Sequence, residues 1–163
     1  MSIAAGVSAP DFSLKTADGE TVTLSKLRGQ VVILYFYPKD DTSGCTAQAC
    51  AFRDNMARVQ SADVKLIGVS PDNEKSHKKF ADKYELPFPL LADTDHHVAE
   101  DYLVWVEKSM YGKKYFGIER TTFIINKEGY IEEVFNKVKV PGHVDEVLKA
   151  IEGLSSPAAS AQL

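Results

Sequence analysis

Seven consecutive apolar or aromatic residues, Val31 to Tyr37, run straight into Pro38-Lys39-Asp40-Asp41-Thr42-Ser43-Gly44-Cys45. An uninterrupted apolar run of this length, closed by turn residues, reads as a buried core strand. The segment that follows carries Ala49, Phe52, Met56 and Val59 at the spacing of one apolar helix face. The spacing predicts a helix over 42–60. A second apolar run, VKLIGV at 64–69, reads as another core strand. Strands that alternate with helices constrain the chain to a layered α/β fold.

The other punctuation extends this pattern. Residues 11–14 and 21–24 flank Asp18-Gly19 and predict an N-terminal hairpin. Residues 73–84 read as a polar helix, stopped before Pro87 and Pro89. A short strand is expected over 88–91 and a short helix over 94–102. RTTFIIN at 120–126 and residues 130–135 are strands around Lys127-Glu128-Gly129, and 143–154 forms a closing helix. The aromatic stretch 103–117 reads as irregular: a loop over the site, or a surface loop with anchored aromatics. The order is β-hairpin, βαβα, then ββα, which gives a mixed central sheet flanked by helices. One domain is expected over 1–154, followed by a small, polar, disordered tail over 155–163.

Composition excludes several classes. The 163 residues suffice for one domain with a substantial core. Net charge is −4, and the longest basic cluster (Lys75, His77, Lys78, Lys79) reads as a solvated helix face, so no nucleic-acid partner is expected. No apolar run reaches membrane-span length, and the first ten residues lack a secretory leader, so a cytoplasmic protein without a membrane partner is expected. The C-x4-C spacing matches no zinc pattern, and His77, His96, His97 and His143 are scattered. There is no P-loop and no G-x-G-x-x-G after a strand.

The chemistry therefore centres on the two cysteines, Cys45 and Cys50. A cysteine at a strand-to-helix junction meets backbone N–H groups and a helix dipole that favour the thiolate. Projection from the apolar face places Cys45 inward on the first turn. Cys50 groups with Arg53, Asp54 and Ala57, nearer solvent. If Thr42 is the N-cap, its hydroxyl lies close to the Cys45 backbone N–H and could reach the sulfur or a substrate. Asp40 and Asp41 work against a thiolate, and their side chains are expected to point to solvent. Five residues of ideal helix separate the two Cα atoms by ~8.6 Å, whereas a disulfide needs less than about 6.8 Å. An intact helix cannot join these cysteines, so their union requires the first turn or more to unwind.

Pro38, Thr42 and Cys45 fit the pattern P-x3-T/S-x2-C. With YFYPKDDTSGCTAQACAFRDN, VSPD, FPLLAD and GIERTTFIIN, the chain resembles the peroxiredoxin family, in its peroxiredoxin Q or bacterioferritin comigratory subgroup. The resemblance implies a thioredoxin-like fold with an N-terminal extension and thiol-dependent reduction of hydroperoxides. It assigns Cys45 as the peroxidatic cysteine, Thr42 as the hydroxyl that orients the peroxide and Pro38 as the shield against water. Arg120 is then the arginine that holds the thiolate, and Cys50 the resolving cysteine. It further implies no cofactor, regeneration by thioredoxin or a similar dithiol, and a monomer. Two other readings of the residues remain open at this point. One is a peroxide-sensing redox switch that acts through partner binding. The other, a disulfide oxidoreductase, is disfavoured by the absence of C-x-x-C.

Overall fold

In the computed structural model, which describes residues 3–154, the N-terminal hairpin forms as β1 (Ser13–Thr16) and β2 (Thr21–Thr23). The apolar run is β3 (Val31–Phe36), followed by α1 (Ser43–Asp54) and α2 (Met56–Ser61). Then come β4 (Val64–Ser70), α3 (Glu74–Tyr84), β5 (Leu90–Ala92) and α4 (His97–Asp101). The chain continues through β6 (Trp105–Met110), β7 (Lys113–Ile118), β8 (Thr121–Ile125) and β9 (Ile131–Phe135) to α5 (His143–Leu154). The tail expected to be disordered lies outside the described residues.

Seven strands form one mixed sheet in the order β2-β1-β5-β4-β3-β8-β9. β3 runs parallel to β4 and antiparallel to β8, which places it at the centre. Because side chains alternate along a strand, β3 feeds two cores. Val32, Leu34 and Phe36 pack with Phe12, Phe123 and the α4 residues Val98 and Ala99. Ile33, Tyr35 and Tyr37 pack on the other face under α1, α3 and α5, and Cys45, Ala49, Phe52 and Phe80 belong to that core. Phe52 is fully buried and its ring stacks on Tyr35 with centroids 5.0 Å apart. Burying a side chain of this size is worth about 1.5–3 kcal/mol, so Phe52 pins the C-terminal half of α1.

The register explains how distant residues meet. Phe36 pairs with Thr121, so the carboxyl end of β3 lies beside the amino end of β8. α1 begins just past the first of these ends, and Arg120 stands one residue before the second. The topology therefore delivers Arg120 to the start of α1 from 75 residues away in sequence.

Three departures from the sequence expectations have local causes. The helix expected over 42–60 breaks at Asn55, whose side-chain amide donates to the Ala51 carbonyl at 2.8 Å in place of a regular backbone bond. The short helix starts later than residue 94: the Asp93 carboxylate accepts from the Val98 and Ala99 backbone N–H groups, and His96 adopts a left-handed conformation. The stretch 103–117 is a two-stranded hairpin, β6 against β7, rather than an irregular loop. Tyr111 and Gly112 both take positive φ (53° and 78°) at its turn, as a tight type I′ connection demands. A non-glycine residue at the first position hides this signal.

α5 opens on a buried histidine, His143, whose Nε2 lies 2.9 Å from the Thr122 hydroxyl. Burial, reinforced by the nearby Arg120 charge, pushes His143 down from its ordinary 6.5 to about 4. Above pH 6.5 the ring is neutral in both folded and unfolded chains and contributes no pH dependence. Between pH 6.5 and 4 the unfolded chain takes up a proton that the native one refuses, so stability falls with falling pH. The slope is at most about 1.4 kcal/mol per pH unit. Urea unfolding of His143→Gln is expected to show a flatter pH profile than wild type across this window. Parallel profiles for the two proteins would contradict the assignment.

Candidate active site

Thr42 occupies the N-cap of α1 with extended backbone angles, so Ser43, Gly44 and Cys45 are its first three helical residues. Cys45 is 2% exposed, inward-facing as its spacing predicts. Arg120 Nη2 donates to Cys45 Sγ at 3.3 Å, and Nη1 donates to Gln48 Oε1 at 2.6 Å. One planar guanidinium thus bridges two side chains a helical turn apart, which a point-charge ammonium cannot do. The helix start and the guanidinium act in the same direction, favouring negative charge on the sulfur. Gly44 leaves room for this approach: a Cβ there would stand 3.2 Å from Arg120 Nη2.

The structure brings together Cys45, Arg120 and the Thr42 turn. Pro38 is half-buried on the same turn. Cys50 is half-buried on α1, and both thiols are free. The Thr42 hydroxyl departs from expectation. It makes no capping bond to the helix and donates to the Lys39 carbonyl at 2.8 Å. With its proton committed there, its lone pairs remain able to accept from a hydroperoxide O–H.

The two aspartates also divide. Asp41 is exposed, as expected, and takes a left-handed backbone conformation (φ 56°). Hydrogen bonds from Lys83 Nζ (2.8 Å) and the Tyr84 hydroxyl (2.9 Å) hold its carboxyl below the usual range. Asp40 does not point to solvent: it is buried and bonded to Tyr37, Ser76 and His77. His77 is likewise fully buried, so the basic cluster on α3 is not wholly a solvated face.

Two contributors escape sequence reasoning. Gln48 is fully buried, and its Nε2 finds no partner among the described residues. The available signal was a polar residue three positions after Cys45, on the inward side of the helix. Lys108 on β6 is half-buried, and burial followed by the Arg120 charge pushes its ammonium below the ordinary value. The hairpin therefore adds a second positive group to the neighbourhood of Arg120.

A thioredoxin-like sheet with a cysteine–arginine pair at one helix start is the frame of a thiol-dependent enzyme. The AhpC/TSA family profile matches residues 5–134, and the chain belongs to this family as a peroxiredoxin. It is 55% identical to the putative peroxiredoxin Bcp of Coxiella burnetii over 148 residues, 91% of this chain and 98% of that protein. Identity to the peroxiredoxin Bcp of Bacillus subtilis is 49% over 155 residues, covering 95% and 99% of the two chains. Among solved structures, a Xanthomonas campestris bacterioferritin comigratory protein, studied for alkyl peroxide reduction, superposes with TM-score 0.88 at 38% identity. That match covers 94% of this chain and 100% of the other. A cysteine-to-serine mutant of Xylella fastidiosa PrxQ matches with TM-score 0.90 at 33% identity, over 96% and 99% of the chains. The resemblance to the peroxiredoxin Q subgroup and the thioredoxin-like fold are thus borne out. No described helix is long and apolar enough to cross a membrane.

Proposed function

We propose that this thiol peroxidase reduces hydrogen peroxide and organic hydroperoxides through Cys45, with Cys50 as its resolving thiol. The observation that carries the reading is the Arg120–Cys45 contact of 3.3 Å at the first turn of α1. In the first step the Cys45 thiolate attacks one oxygen of the O–O bond. The bond's electron pair leaves with the other oxygen, which takes a proton and departs as water or an alcohol. Cys45 becomes a sulfenic acid. Arg120 is placed to hold the thiolate and to stabilise charge on the departing oxygen, Thr42 to accept from the peroxide O–H, and Pro38 to limit water.

In the second step Cys50 condenses with the sulfenic acid, forming a disulfide and releasing water. The ~8.6 Å Cα separation of an intact helix forbids this bond, so α1 must unwind over the cysteines. The burial pattern supports such a transition. Up to Cys50, α1 buries only the small Cys45 and Ala49 and the incompletely bonded Gln48, whereas the bulky anchor Phe52 lies beyond Cys50. An external dithiol, thioredoxin or a relative, then reduces the disulfide by exchange and restores both thiols. Two free thiols suit a reducing compartment, the cytoplasm. A monomer suffices, because both cysteines lie on one helix.

The test is NADPH oxidation coupled through thioredoxin reductase and thioredoxin, with hydrogen peroxide or an alkyl hydroperoxide as substrate. Sustained turnover is expected of the wild type. Cys50→Ser is expected to consume one equivalent of peroxide at the wild-type rate and then to stall with thioredoxin. Undiminished multiple turnover in Cys50→Ser would remove it from the mechanism. Rapid oxidation of Cys45 without wild-type turnover would favour the sensor reading.

A further inference from the structure

The turn between β3 and α1 is tied down by a buried polar network that the chemistry above does not use. Tyr37 donates its hydroxyl to Asp40 Oδ1 at 2.6 Å. Asp40 Oδ2 accepts from the Ser76 hydroxyl at 2.8 Å and lies 2.7 Å from His77 Nδ1. His77 Nε2 lies 2.9 Å from the Leu91 carbonyl, which can only accept, so Nε2 bears a hydrogen. Nδ1 and Oδ2 then share a further proton. The Asp40 backbone N–H donates to Asp72 Oδ2 at 2.8 Å, and that oxygen also takes the Ser70 hydroxyl at 2.6 Å. Burying a carboxylate and an imidazole together is costly unless geometry and partners are both satisfied, and here each has its partners.

The direction of these ties matters more than their number. Those that leave Tyr37–Asp41 lead to β4, to the loop after it and to α3: Tyr37 N–H to the Val69 carbonyl, the Asp40 N–H to Asp72, the Asp40 carboxylate to Ser76 and His77, Asp41 to Lys83 and Tyr84. None of these elements carries a cysteine. From Cys45 to Gln48 the side-chain bonds lead instead to Arg120. The two sets meet at Thr42, whose hydroxyl turns back to Lys39.

We propose that Asp40 and His77 are positioning residues that clamp this turn, so that unwinding of α1 starts at Ser43 and leaves residues 37–41 in place. The inference rests on the resolving role of Cys50. Its consequence is that Pro38 and Thr42 keep their places through the cycle. Refolding of α1 then returns Cys45 to a turn that never came apart.

The first test uses the wild-type full chain, reduced and after one equivalent of hydrogen peroxide, with the disulfide verified by the mass loss of two hydrogens. In the disulfide form, amides of residues 46–50, which bond within α1 in the reduced form, are expected to exchange faster by roughly 10-fold or more, as locally unfolded segments do. The Asp40 amide, bonded to Asp72, and the His77 ring N–H signals are expected to stay as in the reduced form. Loss of protection at Asp40, or of the His77 ring signals, would overturn the clamp. Absence of the two-hydrogen loss would remove the resolving role itself, and the clamp with it.

The second test uses two variants. The amide N–H of His77→Asn can reach Asp40 in place of Nδ1, whereas that of His77→Gln reaches toward Leu91 in place of Nε2. Single-turnover peroxide consumption is expected to slow roughly 10-fold in His77→Gln, as small misplacements of reacting groups do, and to recover largely in His77→Asn. Equal melting-temperature losses in both variants, with wild-type rates below melting, would reduce the pair to a structural role and refute the proposal.

Discussion

Cys45→Ser is expected to abolish peroxide reduction while leaving the fold intact. The hydroxyl of serine is not ionised at neutral pH, and no described side chain beside it is placed to act as its base: the contact at the sulfur is the Arg120 guanidinium, a donor only. Loss of a nucleophile in comparable catalytic units costs on the order of 10⁴-fold or more, so coupled NADPH oxidation is expected to fall to the buffer rate. The fold is protected because the substitution is nearly isosteric, and serine is well tolerated in a helix's first turn. The thermal midpoint is therefore expected within a few degrees of wild type. A serine variant that still turned over with thioredoxin would move the chemistry away from Cys45.

The parts of this site that were legible in the sequence are those carried by local pattern. Cys45, Thr42 and Pro38 lie within one strand-to-helix junction, and the apolar period of α1 sufficed to turn Cys45 inward and to leave the half-buried Cys50 nearer solvent. α5 occupies the residues expected of it, because its apolar period is uninterrupted: Val144, Val147, Leu148 and Ile151 share its buried face. The missing parts are non-local. Asp40 reads as a turn residue bound for solvent until α3 brings His77 and Ser76 over it from 37 and 36 positions away. Gln48 reads as one polar residue among several until β8 carries Arg120 to it. The β6–β7 hairpin was hidden by a tyrosine where its turn chemistry calls for Asn, Asp or Gly. In each case tertiary placement decides what the residue does, and periodicity holds no record of it.

Removing the guanidinium tests the other half of the site. Arg120→Met keeps an apolar stem of similar length but leaves the Cys45 sulfur without its positive partner and Gln48 Oε1 without its donor. Loss of one preorganised donor to a developing charge costs about 2.7–4 kcal/mol, or 10²–10³-fold in rate. A deficit of that size is expected in the single-turnover reaction with peroxide. Arg120→Lys is expected to fall between, because its ammonium restores charge without the planar fork that spans Gln48 and Cys45 together. His143 supplies an internal control on whether the charge has gone: Arg120 contributes to holding that imidazole at about 4, so its titration is expected to move upward in the methionine variant. Upward movement of His143 with an unchanged peroxide rate would show that the charge was removed and was not needed. Movement together with the rate loss would tie the charge at the start of β8 to the reactivity of the thiol at the start of α1.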